Sequence, residues 1–297
     1  DEQHRFGVHQ RMALQHKGAY PHQLVMTATP IPRTLTMTLY ADMDVSVIDE
    51  LPKGRQPITT HTAAQPKRPE LIERLRKILA QGQQAYWVCT LIEPSEEIEA
   101  LSAEEAFDLL RRELPEFRVA LLHGRIKGDE KVEVMRAFKA GEYQLLVATT
   151  VVEVGVDVPN ATQMFIENAE RLGLAQLHQL RGRVGRGSKA SRCFLLFKPG
   201  VSQAGQHRLN ALRQSQDGFY LAEQDLKLRG PGDILGTRQS GEQSFKIADL
   251  SEHAHLMPRV VQRCETMMNA APASYDGVYL TGLLNTWAAS DNAHLSV

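Results

Sequence analysis

Residues 118–150 read RVALLHGRIKGDEKVEVMRAFKAGEYQLLVATT, and this stretch decides the fold. Two short apolar runs, 118–123 and 143–150, flank a charged segment at 128–141 that begins and ends with glycine. The apolar runs have the length and β-branched content of buried strands, whereas the segment between them has the length of a helix. The order strand, helix, strand predicts a β-α-β unit with parallel strands.

The same alternation extends outward in both directions along the chain. Further strands are predicted at 23–28, 46–50, 84–91, 161–168 and 192–197. Further helices are predicted at 69–81, 102–114, 172–179, 203–229 and 251–270, and a Pro- and Gly-rich linker at 51–57. This order predicts an α/β fold, in which helices cover both faces of a parallel sheet and a mainly helical C-terminal segment follows.

The amino-acid composition excludes few classes of function. The chain has 297 residues, of which 42% are hydrophobic and 23% charged, and its formal net charge is −1. These values are ordinary for a globular protein and give no overall basic signature of nucleic-acid binding. No apolar run reaches the length of a membrane span, so no membrane partner is expected. The three cysteines lack C-x-x-C spacing, which favours a reduced, cytoplasmic protein without a zinc site.

Charge is distributed unevenly along the chain. Residues 93–116 carry nine acidic residues and two arginines, whereas residues 181–192 carry five cations and no acidic residue. We interpret the acidic segment as the solvated face of a helix. Because such a face repels a polyanion, nucleic acid is expected to pass elsewhere.

Two short motifs near the N-terminus have the chemistry of a nucleotide site. In DEQH, residues 1–4, Asp1 can hold Mg²⁺ through water, and Glu2 can orient the attacking water. Acidic dipeptides are common, so this tetrad is weak on its own. In TATP, residues 27–30, Thr27 and Thr29 follow a predicted strand, where α/β proteins place ligands. An ordinary helix cap at Thr29 is an equally good interpretation.

Two further motifs follow strands of the predicted sheet. In LHGRI, residues 122–126, the glycine permits close approach of a ligand, although a simple turn would use the same residues. In VATTVVEVGVDVPN, residues 147–160, Thr149 and Thr150 can bind phosphodiester oxygens. Asp157 in the same motif can accept a hydrogen bond from a ribose hydroxyl. The alternative for this second motif is a capped helix followed by a buried apolar segment.

QLRGRVGRG, residues 179–187, concentrates three arginines and three glycines in nine residues. If the segment is helical, Arg183 and Arg186 are three residues apart and share one face. Guanidinium groups bind phosphate oxygens as planar forks, and two of them aimed at a γ-phosphate would stabilise its developing charge. A basic, solvated helix end is the alternative. Glycines inside a helix are costly, which favours the phosphate interpretation.

In this order, the motifs resemble those of superfamily 2 helicases and, within them, the RecG branched-DNA translocases. The resemblance covers residues 1 to about 250 and is carried by DEQHRFGVHQR, TATPIPRTL, QAYWVCTLIE, RLGLAQLHQLRGRVGRG and RGPGDILGTRQSG. It implies two RecA-like lobes with ATP and Mg²⁺ between them. It also implies a double-stranded, branched DNA partner and activity in recombination and repair.

The resemblance assigns roles to individual residues. Asp1 and Glu2 match the Mg²⁺ and water-activating carboxylates. The nucleotide-binding and coupling positions are Gln3, His4, Thr27, Thr29, Gly155, Asp157 and Gln179. Arg183 and Arg186 match paired arginine fingers. The DNA-contacting and translocation positions are Thr149, Thr150, Arg208, Arg229, Arg238 and Gln239.

The sequence departs from the family pattern in three places. It contains no G-x-x-x-x-G-K-[ST] loop, so the phosphate-cradling part of the first lobe and the N-terminal wedge domain are expected to be missing. The predicted domains are a first-lobe remnant at 1–53, a second lobe at 54–200 and a translocation segment with an unassigned tail at 201–297. Ala169 stands where the family has proline, and residues 271–297 do not resemble the family's C-terminus. The isolated chain is expected not to hydrolyse ATP.

Three alternatives to a RecG-like translocase remain at this stage. The transcription-repair coupling translocase carries related motifs and acts on RNA polymerase. The second alternative is a non-catalytic nucleic-acid or partner-binding module built on the same lobe. The third is an unrelated parallel α/β enzyme.

Overall fold

The computed structural model describes residues 54–90, 96–149, 157–229 and 256–269, together with isolated positions outside these ranges. The chain divides into two compact units. One contains residues 1–32 and 46–228, and the other contains residues 33–45 and 229–297.

The first unit alternates strands and helices along the sequence. Its strands are β1 (Thr59–Ala64), β2 (Gln84–Val88), β3 (Val119–Leu122), β4 (Leu145–Ala148), β5 (Ala161–Ile166) and β6 (Arg192–Phe197). Its α-helices are α1 (Arg68–Leu79), α2 (Glu96–Glu113), α3 (Gly128–Lys139), α4 (Leu174–Arg181), α5 (Gln203–Gln214) and α6 (Gly218–Arg229). Single 3-10 turns precede α1 and α4, at Gln65–Lys67 and Ala169–Arg171.

The six strands form one sheet in the order β1-β6-β5-β2-β4-β3, and every pair is parallel. All the carboxyl ends of the strands therefore lie at one end of the sheet, which we call the carboxyl edge. All the amino ends lie at the opposite end, which we call the amino edge. The parallel α/β sheet predicted from the sequence is confirmed.

Alternate residues of each central strand face opposite layers of helices. Trp87 packs with α1 and α2 on one face, whereas Tyr86 and Val88 pack with α3 to α6 on the other. Strands β2, β4 and β5 are buried along their whole length. This burial explains their continuous apolar sequences, because both faces of a parallel sheet are covered.

Helix α2 shows how the acidic segment is accommodated. Ala103, Ala106 and Leu110 are buried against the sheet, whereas Glu105 and Asp108 are exposed. The predicted solvated acidic face is confirmed, and the helix begins at residue 96, earlier than predicted.

Some predicted elements differ from the structure. Strand β1 was not predicted, because its sequence TTHTAA is polar and only partly buried at the sheet edge. The helix predicted at 203–229 is interrupted at 215–217, where Asp217 caps the next helix by accepting from Phe219 N. The strand predicted at 46–50 is absent at residues 46–48, and Ile48 is 95% exposed.

The second unit contains helix α7 (Met257–Met268), within the predicted helix at 251–270. Its Met267 is buried, whereas Val260 and Met268 are exposed. Within the part of the chain that the structure describes, no helix is long and apolar enough to cross a membrane.

Candidate functional site

The arginine-rich segment lies at the amino edge of the sheet. Helix α4 ends at Arg181, and residues 182–191 form a loop that leads into β6. Arg183 and Arg186 would share a face only if their segment were helical, and the structure does not meet this condition. Gly185 has φ of +74°, and a Cβ there would lie 2.7 Å from Ile58 Cγ1. Helix α4 has already ended at Gly182, and the left-handed Gly185, packed against Ile58, turns the loop that follows.

Arg186 and Asp157 meet at this edge because each precedes one of two neighbouring strands. Asp157 lies shortly before β5, and Arg186 shortly before β6. Their side chains are 3.7 Å apart, and the Arg186 side chain is 33% exposed. Arg186 Nε also donates to Gly182 O at 3.2 Å. The guanidinium is thus oriented by the protein while one part of it faces solvent.

An open depression of about 460 Å³ lies beside this pair. Its lining residues come from the arginine loop, from Asp157 and from the segment that leads into β1: Pro52, Gly54, Arg55, Asp157, Arg186, Gly187 and Ser188. Gly187 is closely packed, because a Cβ there would lie 2.8 Å from Pro159 O. The arginine loop therefore runs close against the backbone of Pro159 beside the depression.

Arg181, the first arginine of the motif, has a different role from the other two. It is only 2% exposed, and its Nη1 donates to Leu212 O at 2.7 Å and to Ser215 O at 2.8 Å. These carbonyls are at the carboxyl end of α5, where a helix lacks internal donors. Arg181 therefore holds α5 against the end of α4, and the family pattern of Gln179, Arg183 and Arg186 skips it.

His178 completes this buried arrangement. Its Nδ1 lies 2.9 Å from Arg181 Nη2, so the neutral ring accepts a hydrogen bond from the guanidinium. Burial, aided by the charge of Arg181, lowers the pKa of His178 to about 4. The imidazole is therefore neutral at physiological pH.

A second group of polar side chains lies at the carboxyl edge of the sheet. His123 follows β3, Thr149 follows β4 and Asn168 follows β5. Within the described residues, buried polar atoms at this edge have no hydrogen-bond partner: Arg68 Nε, His123 Nδ1, Thr149 Oγ1, Asn168 Oδ1, Glu170 Oε2 and Arg208 Nε. Buried polar groups in proteins are normally paired, so this concentration indicates unused hydrogen-bonding capacity beneath the carboxyl edge.

The segment that follows His123 places cations at this edge. The His123 ring is 3.6 Å from Glu104 Oε1, and burial is the main cause that lowers its pKa. Arg125 and Lys127, which follow in the LHGRI segment and just beyond it, are exposed. The segment can therefore present positive charge to a ligand.

Glu167 forms a network that the sequence did not reveal. Its carboxylate accepts from Trp87 Nε1 at 2.7 Å and pairs with Arg68 at 2.7 Å. Arg68 also lies 5.6 Å from the centre of the Trp87 ring. Asn168, the next residue, has φ of +47°, in the left-handed region that asparagine adopts more readily than most other residues. The only signal in the sequence is an acidic residue and an asparagine directly after a buried strand.

Arg208 connects helix α5 to the same edge. Its Nη2 donates to Glu170 O at 2.7 Å, next to Ala169, which is fully buried. Arg229 is the last residue of α6. Arg208 thus lies where α5 meets the loop after β5.

Several predicted site residues cannot be placed. Those outside the described residues are Asp1, Glu2, Gln3, His4, Thr29, Thr150, Gly155, Arg238 and Gln239. Thr27 is described at an exposed position, and Gln179 and Arg183 are half-buried. No group of three His, Cys, Asp or Glu residues suited to a metal ion is found among the described residues, so the Mg²⁺ prediction depends on Asp1.

Comparisons with known proteins identify the class to which this fold and these motifs belong. Residues 70–188 match the family model of the helicase conserved C-terminal domain. The chain therefore contains a helicase C-terminal domain with a RecA-like fold. Residues 215–279 match the model of ATP-dependent DNA helicase RecG, domain 3, C-terminal.

The relatives specify the family. The chain is 60% identical over 265 residues to ATP-dependent DNA helicase RecG of Escherichia coli (strain K12), which covers 88% of this chain and 38% of that protein. It is 51% identical over 251 residues to RecG of Bacillus subtilis (strain 168), which covers 84% of this chain and 37% of that protein. The chain belongs to the RecG family, as the motifs predicted, and spans well under half the length of these relatives.

A solved structure of a RecG protein is also similar. The structure of RecG bound to a three-way DNA junction has a TM-score of 0.66 and 44% identity, covering 86% of this chain and 32% of that one. Its similarity extends beyond the second lobe, which agrees with the family match at residues 215–279.

Proposed function

We propose that this chain supplies the second RecA-like lobe and the translocation segment of an ATP-dependent DNA helicase. The whole protein would act in the cytoplasm on branched double-stranded DNA such as stalled forks, D-loops and Holliday junctions. One observation carries the proposal most directly. Arg186 and Asp157 line an open depression at one edge of the sheet, whereas unpartnered polar atoms gather at the other.

The amino edge suits the nucleotide. Arg186 is oriented by Gly182 O and has an exposed part, so it can reach a phosphate from outside the lobe. Arg183 and Arg186 would stabilise negative charge on the γ-phosphate as it leaves. Asp157, 52% exposed in its side chain, would accept from a ribose hydroxyl. Gln179 would contact the nucleotide from the end of α4.

The first-lobe positions complete the proposed nucleotide site. Asp1 would hold Mg²⁺, which supplies charge neutralisation to the phosphates when bound. Glu2 would orient the attacking water. Gln3, His4, Thr27, Thr29 and Gly155 would couple nucleotide state to the movement of the lobes.

The carboxyl edge suits the DNA backbone. Thr149 and Thr150 would donate to phosphodiester oxygens, and such contacts fix position without reading sequence. Thr149 is fully buried, and its Oγ1 has no hydrogen-bond partner within the described residues. The translocation segment would contribute Arg208, Arg229, Arg238 and Gln239.

The test is ATP turnover by the full-length protein with and without a three-way DNA junction. We expect the junction to stimulate turnover and the isolated 297-residue chain to show none. The proposal would be contradicted if the isolated chain hydrolysed ATP at the rate of the full-length protein. It would also be contradicted if the junction left the ATP turnover of the full-length protein unchanged.

A further inference from the structure

The segment that leads into β1 is held firmly in place. Arg55 N donates to Pro52 O at 3.1 Å, which closes a turn over Gly54. Ile58 N donates to Gln216 Oε1 at 3.1 Å. A segment with the composition of a linker is therefore fixed to the lobe, and it lies beside the arginine loop.

The Arg55 side chain is anchored at one nitrogen. Its Nε donates to Gly185 O at 3.0 Å, so it contacts the glycine that turns the arginine loop. Within the described residues, the structure shows no other hydrogen bond from this guanidinium. Because Nε is engaged, the two terminal amines remain as a pair of parallel donors, which is the geometry that binds phosphate oxygens.

The charges that line the depression favour an anion near Arg55. The charged residues of its lining are Arg55, Arg186 and Asp157. Asp157 lies 3.7 Å from Arg186, whereas no carboxylate of the described residues is within ion-pair distance of Arg55. Arg55 therefore contributes a positive charge that its neighbours do not balance.

We propose that Arg55 is a third arginine of the nucleotide site, which binds the phosphate chain while its Nε supports the arginine loop through Gly185 O. The inference rests on the proposed function, because it assumes that the depression faces the nucleotide. It assigns a binding contact to a segment that the sequence presents as a linker.

The experiment compares Arg55→Ala and Arg55→Lys with Arg112→Ala in the full-length protein. Arg112 is an exposed arginine whose Nε donates to Asp108 O in its own helix, so it is a matched control. A fluorescent ATP analogue reports nucleotide affinity, and adenosine serves as a competitor without phosphates. Thermal unfolding is followed for each variant.

We expect Arg55→Ala to weaken binding of the ATP analogue about tenfold, as loss of a charge-assisted contact would. Adenosine affinity should stay within twofold. Arg55→Lys should recover part of the loss, since it keeps the charge but not the fork. If Arg55→Ala lowers the unfolding temperature, the test uses the folded Arg55→Lys variant instead. Its affinity for the ATP analogue should then fall while its affinity for adenosine stays unchanged.

Two results would overturn the inference. An unchanged affinity for the ATP analogue, with a reduced kcat, would mean that Arg55 only positions the loop. An equal loss for adenosine would place Arg55 at the base or the ribose. Failure of the proposed function is a separate result, because ATP turnover would then be insensitive to Arg186→Ala.

Discussion

The two edges of the sheet differ in how their polar groups are satisfied. At the amino edge, hydrogen bonds within the protein orient the arginines: Arg55 to Gly185 O, Arg186 to Gly182 O and Arg181 to Leu212 O. At the carboxyl edge, buried atoms such as Thr149 Oγ1 and Asn168 Oδ1 have no partner among the described residues. The arginines of the amino edge are therefore oriented before a ligand binds, whereas the carboxyl edge retains polar atoms that can still form hydrogen bonds.

This difference fits two ligands with different demands. Stabilising a transferring phosphoryl group requires donors that are already in position, because reorganisation costs rate. A translocase must hold and release DNA repeatedly, so its contacts with the DNA backbone need to be numerous and exchangeable. The rigid, fully buried strands β2, β4 and β5 connect the two edges and would transmit movement between them.

The largest expected effect is on phosphoryl transfer. Arg186→Ala in the full-length protein should lower kcat for ATP by roughly 10³-fold, because an arginine finger stabilises charge that develops at the γ-phosphate. Affinity for junction DNA should change less than twofold. Steady-state turnover and DNA binding by fluorescence anisotropy measure the two properties, with Arg112→Ala as the control. A variant that loses DNA binding and keeps its turnover would place Arg186 on the DNA side.

The second effect is on stability, and it tests whether the buried hydrogen bonds of Arg181 stabilise the lobe. Arg181→Leu should lower the free energy of unfolding by about 3 kcal/mol, because buried carbonyls at Leu212 and Ser215 lose their donor. Arg213→Leu, at an exposed position of the same helix α5, should change it by less than about 0.5 kcal/mol. Urea denaturation measures both. Equal stability of the two variants would show that the buried contact contributes nothing.

The third effect is on the pH dependence of stability. Because the pKa of His178 is lowered to about 4 in the folded protein, the unfolded chain binds a proton at higher pH than the folded one does. Its contribution to stability is complete above pH of about 6.5 and is lost as pH falls towards 4. The loss is on the order of 3 kcal/mol. Urea midpoints between pH 7 and 4 should fall less steeply for His178→Gln, and parallel curves would refute this.

The smallest effect concerns the carboxyl edge. Thr149→Val removes a hydroxyl that has no partner among the described residues, so stability should be unchanged or slightly higher. Affinity for junction DNA should fall about fivefold, since one phosphodiester contact is lost. Thr59→Val, at an exposed position of β1, is the control. A stability loss without any change in DNA affinity would show that Thr149 is a structural residue.

Much of the fold follows from sequence because the central strands are buried on both faces. The apolar runs at 192–197 and within 161–168 became strands β6 and β5 as predicted. Strand β1 escaped prediction because an edge strand pairs with one neighbour only and does not need a continuous apolar sequence. The family motifs identified the RecG family without the structure.

The site was less predictable because its contacts join distant parts of the chain. Arg181 binds carbonyls 31 and 34 residues away, and Arg55 binds a carbonyl 130 residues away. The QLRGRVGRG segment predicted phosphate chemistry, but helix α4 ends at Arg181, so Arg183 and Arg186 lie in a loop, which the left-handed Gly185 turns. A glycine's backbone conformation depends on its packing against Ile58, which the local sequence does not specify.

The central claim is that nucleotide and DNA bind at opposite edges of one sheet. Hydrogen–deuterium exchange of the full-length protein tests it most directly, with a non-hydrolysable ATP analogue and a three-way DNA junction added separately. The account predicts that the analogue slows exchange at residues 182–188 and 52–55, and that the junction slows exchange at residues 123–127 and at Thr149. Protection of the same edge by both ligands would contradict it.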